Sequence, residues 1–256
     1  MDEQTIAKAL IHFALQPTVS IGIAAVPPSE DKNAFRSASG ALVYISGVPL
    51  LITNWHVIEA YRTLSAQRSM QFFFADQAID PIERLRDENQ DLDLAILFAY
   101  NLRILSTREN GVPNIKPFEP IEWPPQPPKR GDSVFFAGWP EVGRSVDVAS
   151  REATFQPYAY VGAHIADVGN GGFTIEFDRA RSRGVTGRET QQQINERDLT
   201  GLSGSPIFRD RSSEGLSPDL IGFVKEHMPV FDVLIATSAL HIRPELRIER
   251  HMPKIK

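Results

Sequence analysis

Ser203 lies between two glycines, Gly201 and Gly204, in the run Leu199-Thr200-Gly201-Leu202-Ser203-Gly204-Ser205-Pro206-Ile207-Phe208. A serine becomes a nucleophile when its hydroxyl projects from a tight turn and backbone N–H groups face the oxyanion that develops. Gly201 can take backbone angles that set its N–H beside that of Ser203. Gly204 lets the chain turn away without a side chain in the pocket. Gly-Ser-Gly turns also occur in ordinary loops, so the reading depends on partners elsewhere in the chain.

Two partners stand upstream. His56 lies in the run Leu50-Leu51-Ile52-Thr53-Asn54-Trp55-His56-Val57-Ile58, at the end of an apolar strand. A histidine there is held rigidly yet can face a cleft, which suits a general base. Asp93 opens the apolar strand Asp93-Leu94-Ala95-Ile96-Leu97. A carboxylate so placed is expected to be partly buried and therefore paired, and an imidazole N–H is a natural partner. Asp91 is the competing acid, and a solvated strand-edge charge is the plain alternative for either. None of the six histidines forms a His-Glu-x-x-His pair, which removes the zinc-peptidase pattern.

These residues need elements to hold them. Residues 2–15 read as a short amphipathic helix with Asp2 and Glu3 at its start and Pro17 beyond its end. Short apolar runs punctuated by Gly, Pro, Ser and Asn then predict strands over 19–26, 40–45, 49–53, 71–74 and 94–98. The second and third are joined as a hairpin at Ser46-Gly47-Val48. Residues 113–130 are too proline-rich for an interior strand and read as an extended connector. Strand signals resume at 133–138, 152–165, 172–177, 206–208, 220–225 and 230–236. Residues 179–198 read as a long polar loop beside Ser203, and the tail from Ala239 as partly helical. The expected organisation is a helix over 1–17, a β-half over 18–112, the connector, a β-half over 131–238, and a C-terminal helix or tail over 239–256.

The 256 residues, 42% hydrophobic, suffice for a full core in one two-lobed unit or two small domains. A formal net charge of −5 offers no electrostatic case for nucleic acid or an anionic membrane. The acidic start and the lack of a long apolar run argue against a signal peptide or a spanning helix. With no cysteine, disulfides and thiol catalysis are out, and the expected location is the cytoplasm.

The chain order His…Asp…Ser, with the serine in a glycine turn, is that of the chymotrypsin type of triad. An α/β-hydrolase elbow would need glycine where this chain has Ser205, and the strand–helix alternation of that fold is absent. The sequence resembles the trypsin-like serine peptidases of chymotrypsin fold, closest to their simple bacterial intracellular, stand-alone type. Leu51-Ile52-Thr53-Asn54-Trp55-His56-Val57, Asp93-Leu94-Ala95-Ile96-Leu97 and Gly201-Leu202-Ser203-Gly204-Ser205-Pro206 are similar to the family's histidine, aspartate and serine blocks. The stretches 130–140 and 220–224 add to the likeness, which spans roughly residues 40 to 240.

The resemblance implies an all-β fold of two antiparallel six-stranded barrels with the site in the cleft between them, and short terminal helices. It implies His56, Asp93 and Ser203 as the triad, and the N–H groups of Gly201 and Ser203 as the oxyanion hole. It implies endopeptidase activity on protein or peptide substrates without a cofactor or metal, with a regulatory partner protein conceivable. The alternative is a silent or latent module that holds extended peptides. Digestive members keep an acid where this chain has Leu202, which argues against zymogen activation through that acid. Counting back from Ser203 places Arg197 near the pocket base, and Lys225, Glu226 and His227 on the substrate-pairing strand.

Overall fold

The structure, a computed structural model, describes residues 2–27, 35–102, 114–147, 152–176 and 199–250. After helix α1 (Glu3–Leu15), the first half comprises β1 (Thr18–Ala25), β2 (Phe35–Ile45), β3 (Val48–Thr53), α2 (Trp55–Ser65), β4 (Met70–Phe74), β5 (Gln77–Ile79), β6 (Leu85–Asn89) and β7 (Leu94–Phe98). Its strands form one antiparallel seven-stranded sheet in the order β5-β4-β1-β2-β3-β7-β6. Ser46 and Gly47, with φ of 52° and 76°, make the two-residue β2–β3 turn, where a tight hairpin needs positive φ at both central residues. Val19, Ile21, Leu42, Leu51, Phe72 and Leu97 fill the concave side of this curled sheet.

The second half comprises β8 (Ser133–Gly138), β9 (Arg144–Asp147), β10 (Glu152–Phe155), β11 (Tyr158–Gly169), β12 (Gly172–Glu176), β13 (Pro206–Arg209), β14 (Asp219–Met228) and β15 (Val233–Ser238). Six of these close into an antiparallel barrel in the order β11-β12-β15-β14-β13-β8, while β9 and β10 pair by themselves. The layout is the expected double barrel, with one half closed and the other a curled half-barrel sheet.

A shared apolar cluster joins the halves. Val43, Ile45 and Leu50 from β2 and β3 meet Phe135, Phe208 and Phe223 from β8, β13 and β14, together with Leu10 and Leu15 of α1. The Phe13 ring lies edge-on to Phe118, Phe135 and Phe208, with centroids 5.9, 6.1 and 5.3 Å away. Such pairs add about 0.5–1.5 kcal/mol each beyond burial. Helix α1 is capped by Asp2, which accepts the Thr5 N–H at 2.9 Å. That bond holds the Asp2 carboxyl below its ordinary pKa.

Three local features add to the expectations. The chain after β3, to which the sequence assigned no element, forms α2. Its Val57 and Ile58 are buried in the first core, and Tyr61 stands edge-on to Phe72 at 5.7 Å. The proline-rich connector is extended yet not free-running. Phe118 exchanges backbone hydrogen bonds with Leu42 and Tyr44 of β2, each close to 2.9 Å. Among the described residues of the tail, the helical part is the 3-10 turn Ala239–His241, beyond which come Pro244 and the Ile242–Ile248 bridge. No helix among the described residues is long and apolar enough to cross a membrane.

Candidate active site

The candidate histidine occupies a helix start rather than a strand end. Thr53 closes β3, Asn54 is the N-cap residue of α2, and His56 falls in the first turn. The two buried residues that follow it, Val57 and Ile58, anchor that turn to the sheet. His56 itself stays nearly half exposed, at 46% of its side chain. A base must reach substrate, and this one is rigid at the backbone and open at the ring.

Asp93 sits opposite, at the entry to β7 with φ of 52°. Aspartate tolerates this left-handed conformation better than most residues. The carboxylate is buried, with 8% of the side chain exposed. Its Oδ1 accepts the His56 backbone N–H at 3.0 Å, and its Oδ2 lies 2.8 Å from His56 Nδ1. Carboxylates only accept, so the proton in that second contact resides on Nδ1 and the Nε2 lone pair of neutral His56 is left available. Asp91, the competing acid, is exposed and takes no part in this contact.

Asn54 completes the arrangement. An asparagine at an N-cap commonly caps the helix, but this side chain makes no capping bond. Its Nδ2 donates instead to the Asp93 carbonyl at 2.8 Å and to Asp93 Oδ2 at 3.2 Å. The sequence reading missed this residue. The signal was a polar residue directly between an apolar strand and a histidine, fully buried in the fold.

The spacing of Gly201 and Gly204 comes from two successive turns. Leu202 N–H donates to the Leu199 carbonyl at 3.1 Å, and Ser205 N–H to the Leu202 carbonyl at 2.8 Å. In each turn the third residue is a glycine with positive φ, 98° at Gly201 and 87° at Gly204, as a type II turn requires. Side chains are also shut out: a Cβ on Gly201 would lie 2.7 Å from Glu141 N, and one on Gly204 would lie 2.2 Å from the Ser39 carbonyl oxygen. Ser203 falls between the glycines, and its Oγ donates to the Lys225 carbonyl at 3.4 Å. Among the described residues no hydrogen bond joins Ser203 Oγ to His56.

His56, Asp93 and Ser203 line one cleft of about 350 Å³, with Leu199, Thr200, Lys225, Glu226 and His227 on its walls. Lys225, Glu226 and His227 thus all reach the cleft wall from β14. The His227 ring accepts the Leu199 N–H on Nδ1 at 3.3 Å. Arg197 and the loop 179–198 lie outside the described residues. Ser205, which stands where an α/β-hydrolase elbow would need glycine, is fully buried, and its hydroxyl finds no hydrogen-bond partner among the described residues.

No family model matches the sequence, and no curated protein matches it. Among solved structures, the crystal structure of the Rv3671c protease from M. tuberculosis in its active form superimposes with a TM-score of 0.50. The two are 15% identical, over 93% of this chain and 82% of that chain. At this identity the likeness speaks to architecture, and with the closed barrel and curled sheet described above it gives the chain a chymotrypsin-like double-barrel fold.

Proposed function

We propose that the chain is a trypsin-like serine endopeptidase that cuts peptide bonds through a His56–Asp93–Ser203 triad. The observation that carries this reading is the His56–Asp93 pair, 2.8 Å apart and tautomer-fixed, sharing a cleft with a serine held between two turns. Ser203 Oγ attacks the substrate carbonyl carbon as His56 Nε2 takes the hydroxyl proton. Asp93 holds the ring and stabilises the imidazolium. The N–H groups of Gly201 and Ser203 receive the oxyanion, where one donor is worth about 10²–10³ in rate. The tetrahedral adduct collapses to an acyl-enzyme as His56 returns the proton to the leaving amine. Water then repeats the sequence, with the same base, to release the acid.

For the attack, Ser203 Oγ must leave the Lys225 carbonyl and turn toward His56 Nε2. Serine–base hydrogen bonds are often loose before substrate binds. The same contact favours a second reading, a latent or peptide-holding module whose serine stays turned away. A fluorophosphonate probe separates the two. Under the peptidase reading it labels the wild-type protein and neither Ser203→Ala nor His56→Ala. A folded wild-type protein that is never labelled supports the latent module, and labelling that survives Ser203→Ala means that the nucleophile is another residue.

A further inference from the structure

We infer that Ser39, a buried serine of β2 in the first half, is the positioning residue that sets the oxyanion-hole peptide in the second half. Its side chain is fully enclosed, and every polar atom it has is committed across the seam or to the strand beside it. The hydroxyl donates to the Gly201 carbonyl at 2.8 Å and accepts the Trp139 N–H at 2.8 Å. The backbone N–H donates to the Ser203 carbonyl at 2.9 Å. The carbonyl accepts from Thr53 Oγ1 at 2.9 Å, which ties Ser39 to the strand that leads to His56.

The consequence follows from peptide geometry. In a planar trans peptide the C=O and the N–H point in opposite directions. The Thr200 carbonyl is held by Glu141 N–H at 2.6 Å, so the Gly201 N–H on the same peptide faces away from Glu141. Ser39 Oγ fixes the next peptide through the Gly201 carbonyl. The two planes flanking the Gly201 Cα are thereby each pinned, one by Glu141 and the other by Ser39 together with the turn bond from Leu202 N–H to the Leu199 carbonyl. Glycine at φ 98° has no side chain to hold it there, so the pins supply the order that a Cβ would give elsewhere.

Ser39 also governs the other pin. Trp139, which donates to its hydroxyl, is two residues before Glu141, so one hydroxyl fixes both segments that meet at the Thr200–Gly201 peptide. Arg144 reinforces the link: it pairs with Glu141 at 2.8 Å and lies over the Phe35 ring of β2, 4.8 Å from its centroid. The hole is therefore completed by docking of the first half rather than by the second barrel alone. This rests on the proposed function for what the hole does, but not for how it is held.

Two readouts test it on the full-length protein. Hydrogen exchange over 199–206 reports the order of the loop without any need for catalysis. Fluorophosphonate labelling and peptide hydrolysis report the hole. In Ser39→Ala the exchange is expected to quicken at least about tenfold, and labelling and kcat to fall about 10- to 100-fold with KM little changed, since a misplaced donor loses part of its full worth. Ser39→Cys leaves no cavity but replaces the hydroxyl with a somewhat larger, weakly hydrogen-bonding thiol and should fall likewise, which covers failure of the alanine variant to fold. Ile45→Val, at the far end of the same strand, should label like the wild type. If exchange quickens but even the wild type never labels, the clamp stands and the peptidase reading falls. Unchanged exchange in both Ser39 variants, or wild-type labelling despite quickened exchange, overturns the inference.

Discussion

Asp93→Asn is the substitution whose outcome the geometry constrains most. Asparagine is nearly isosteric with aspartate and accepts the left-handed backbone at φ 52°, so the fold should survive. The difficulty is the hydrogen-bond inventory. Aspartate meets three donors here: His56 N–H at 3.0 Å on Oδ1, and His56 Nδ1 at 2.8 Å and Asn54 Nδ2 at 3.2 Å on Oδ2. An asparagine has one acceptor oxygen. With that oxygen toward the backbone N–H, its NH₂ faces the imidazole and the Asn54 amide. The ring must then accept on Nδ1, and its proton moves to Nε2, where the base should be. With the amide reversed, NH₂ opposes the His56 N–H inside a buried site, which costs about 1–3 kcal/mol for the donor left unsatisfied. The first orientation is favoured because it sacrifices only the weaker, longer Asn54 contact. A wrong tautomer of this kind lowers kcat about 10⁴-fold in a Ser-His-Asp enzyme, or about 5.4 kcal/mol of barrier. The assay is kcat/KM on an activated peptide ester, with circular dichroism and a melting curve to establish folding. A folded Asp93→Asn protein within tenfold of wild type would refute the role assigned to Asp93, and with it the tautomer argument.

Other perturbations follow from the same contacts. Asn54→Ala removes both amide bonds to Asp93 and should cost about 1–3 kcal/mol in a denaturant melt, with activity falling as the carboxylate loses its hold. Gly204→Ala must place a Cβ 2.2 Å from the Ser39 carbonyl at a φ of 87°, so labelling should be lost and the melting temperature lowered. Ser205→Ala removes a buried, unpartnered hydroxyl while keeping the Cβ, and should be neutral or stabilising by up to about 1 kcal/mol in the same melt. Phe13→Ala empties the aromatic junction between α1 and the second barrel and, because the ring is only partly buried, should destabilise by no more than about 3 kcal/mol, the low end for a buried Phe. For pH, the folded-state pKa of Asp2 lies below its unfolded value of 3.8, so its stabilising effect is complete above 3.8 and lost as pH falls through the lower, folded value. Melting curves of wild type and Asp2→Ala should therefore converge at the acid end of that window.

What could be read from the chain, and what could not, divides along a physical line. Strands whose side chains alternate or run apolar declare themselves: 94–98 and 133–138 occupy the expected residues, since burial there depends on composition alone. Helix α2 was hidden because three of its first four residues, Trp55, Val57 and Ile58, are apolar like the strand they follow. Its helical period shows only through Tyr61 and Leu64, further on. The short strands β5, β6 and β9 carry too few apolar residues to announce a sheet edge, and form because a neighbouring strand offers its free backbone groups. The glycine turn around Ser203 was legible for the opposite reason, that positive φ leaves a residue-type signature at Gly201 and Gly204. Ser39 and Asn54 leave no such signature. A buried serine and a buried asparagine look in sequence like any polar residue in a strand or at a helix start. Their meaning lies in partners 162 and 39 residues away, Gly201 and Asp93. The residues of the proposed triad could thus be picked from local pattern, while those that hold them in register emerge only in the folded chain, Asn54 within the first half and Ser39 where the two halves meet. Chemistry and positioning are therefore separable by experiment: changes at Ser203 or His56 should abolish labelling while leaving the loop's hydrogen exchange largely as it is. A change at Ser39 should move both.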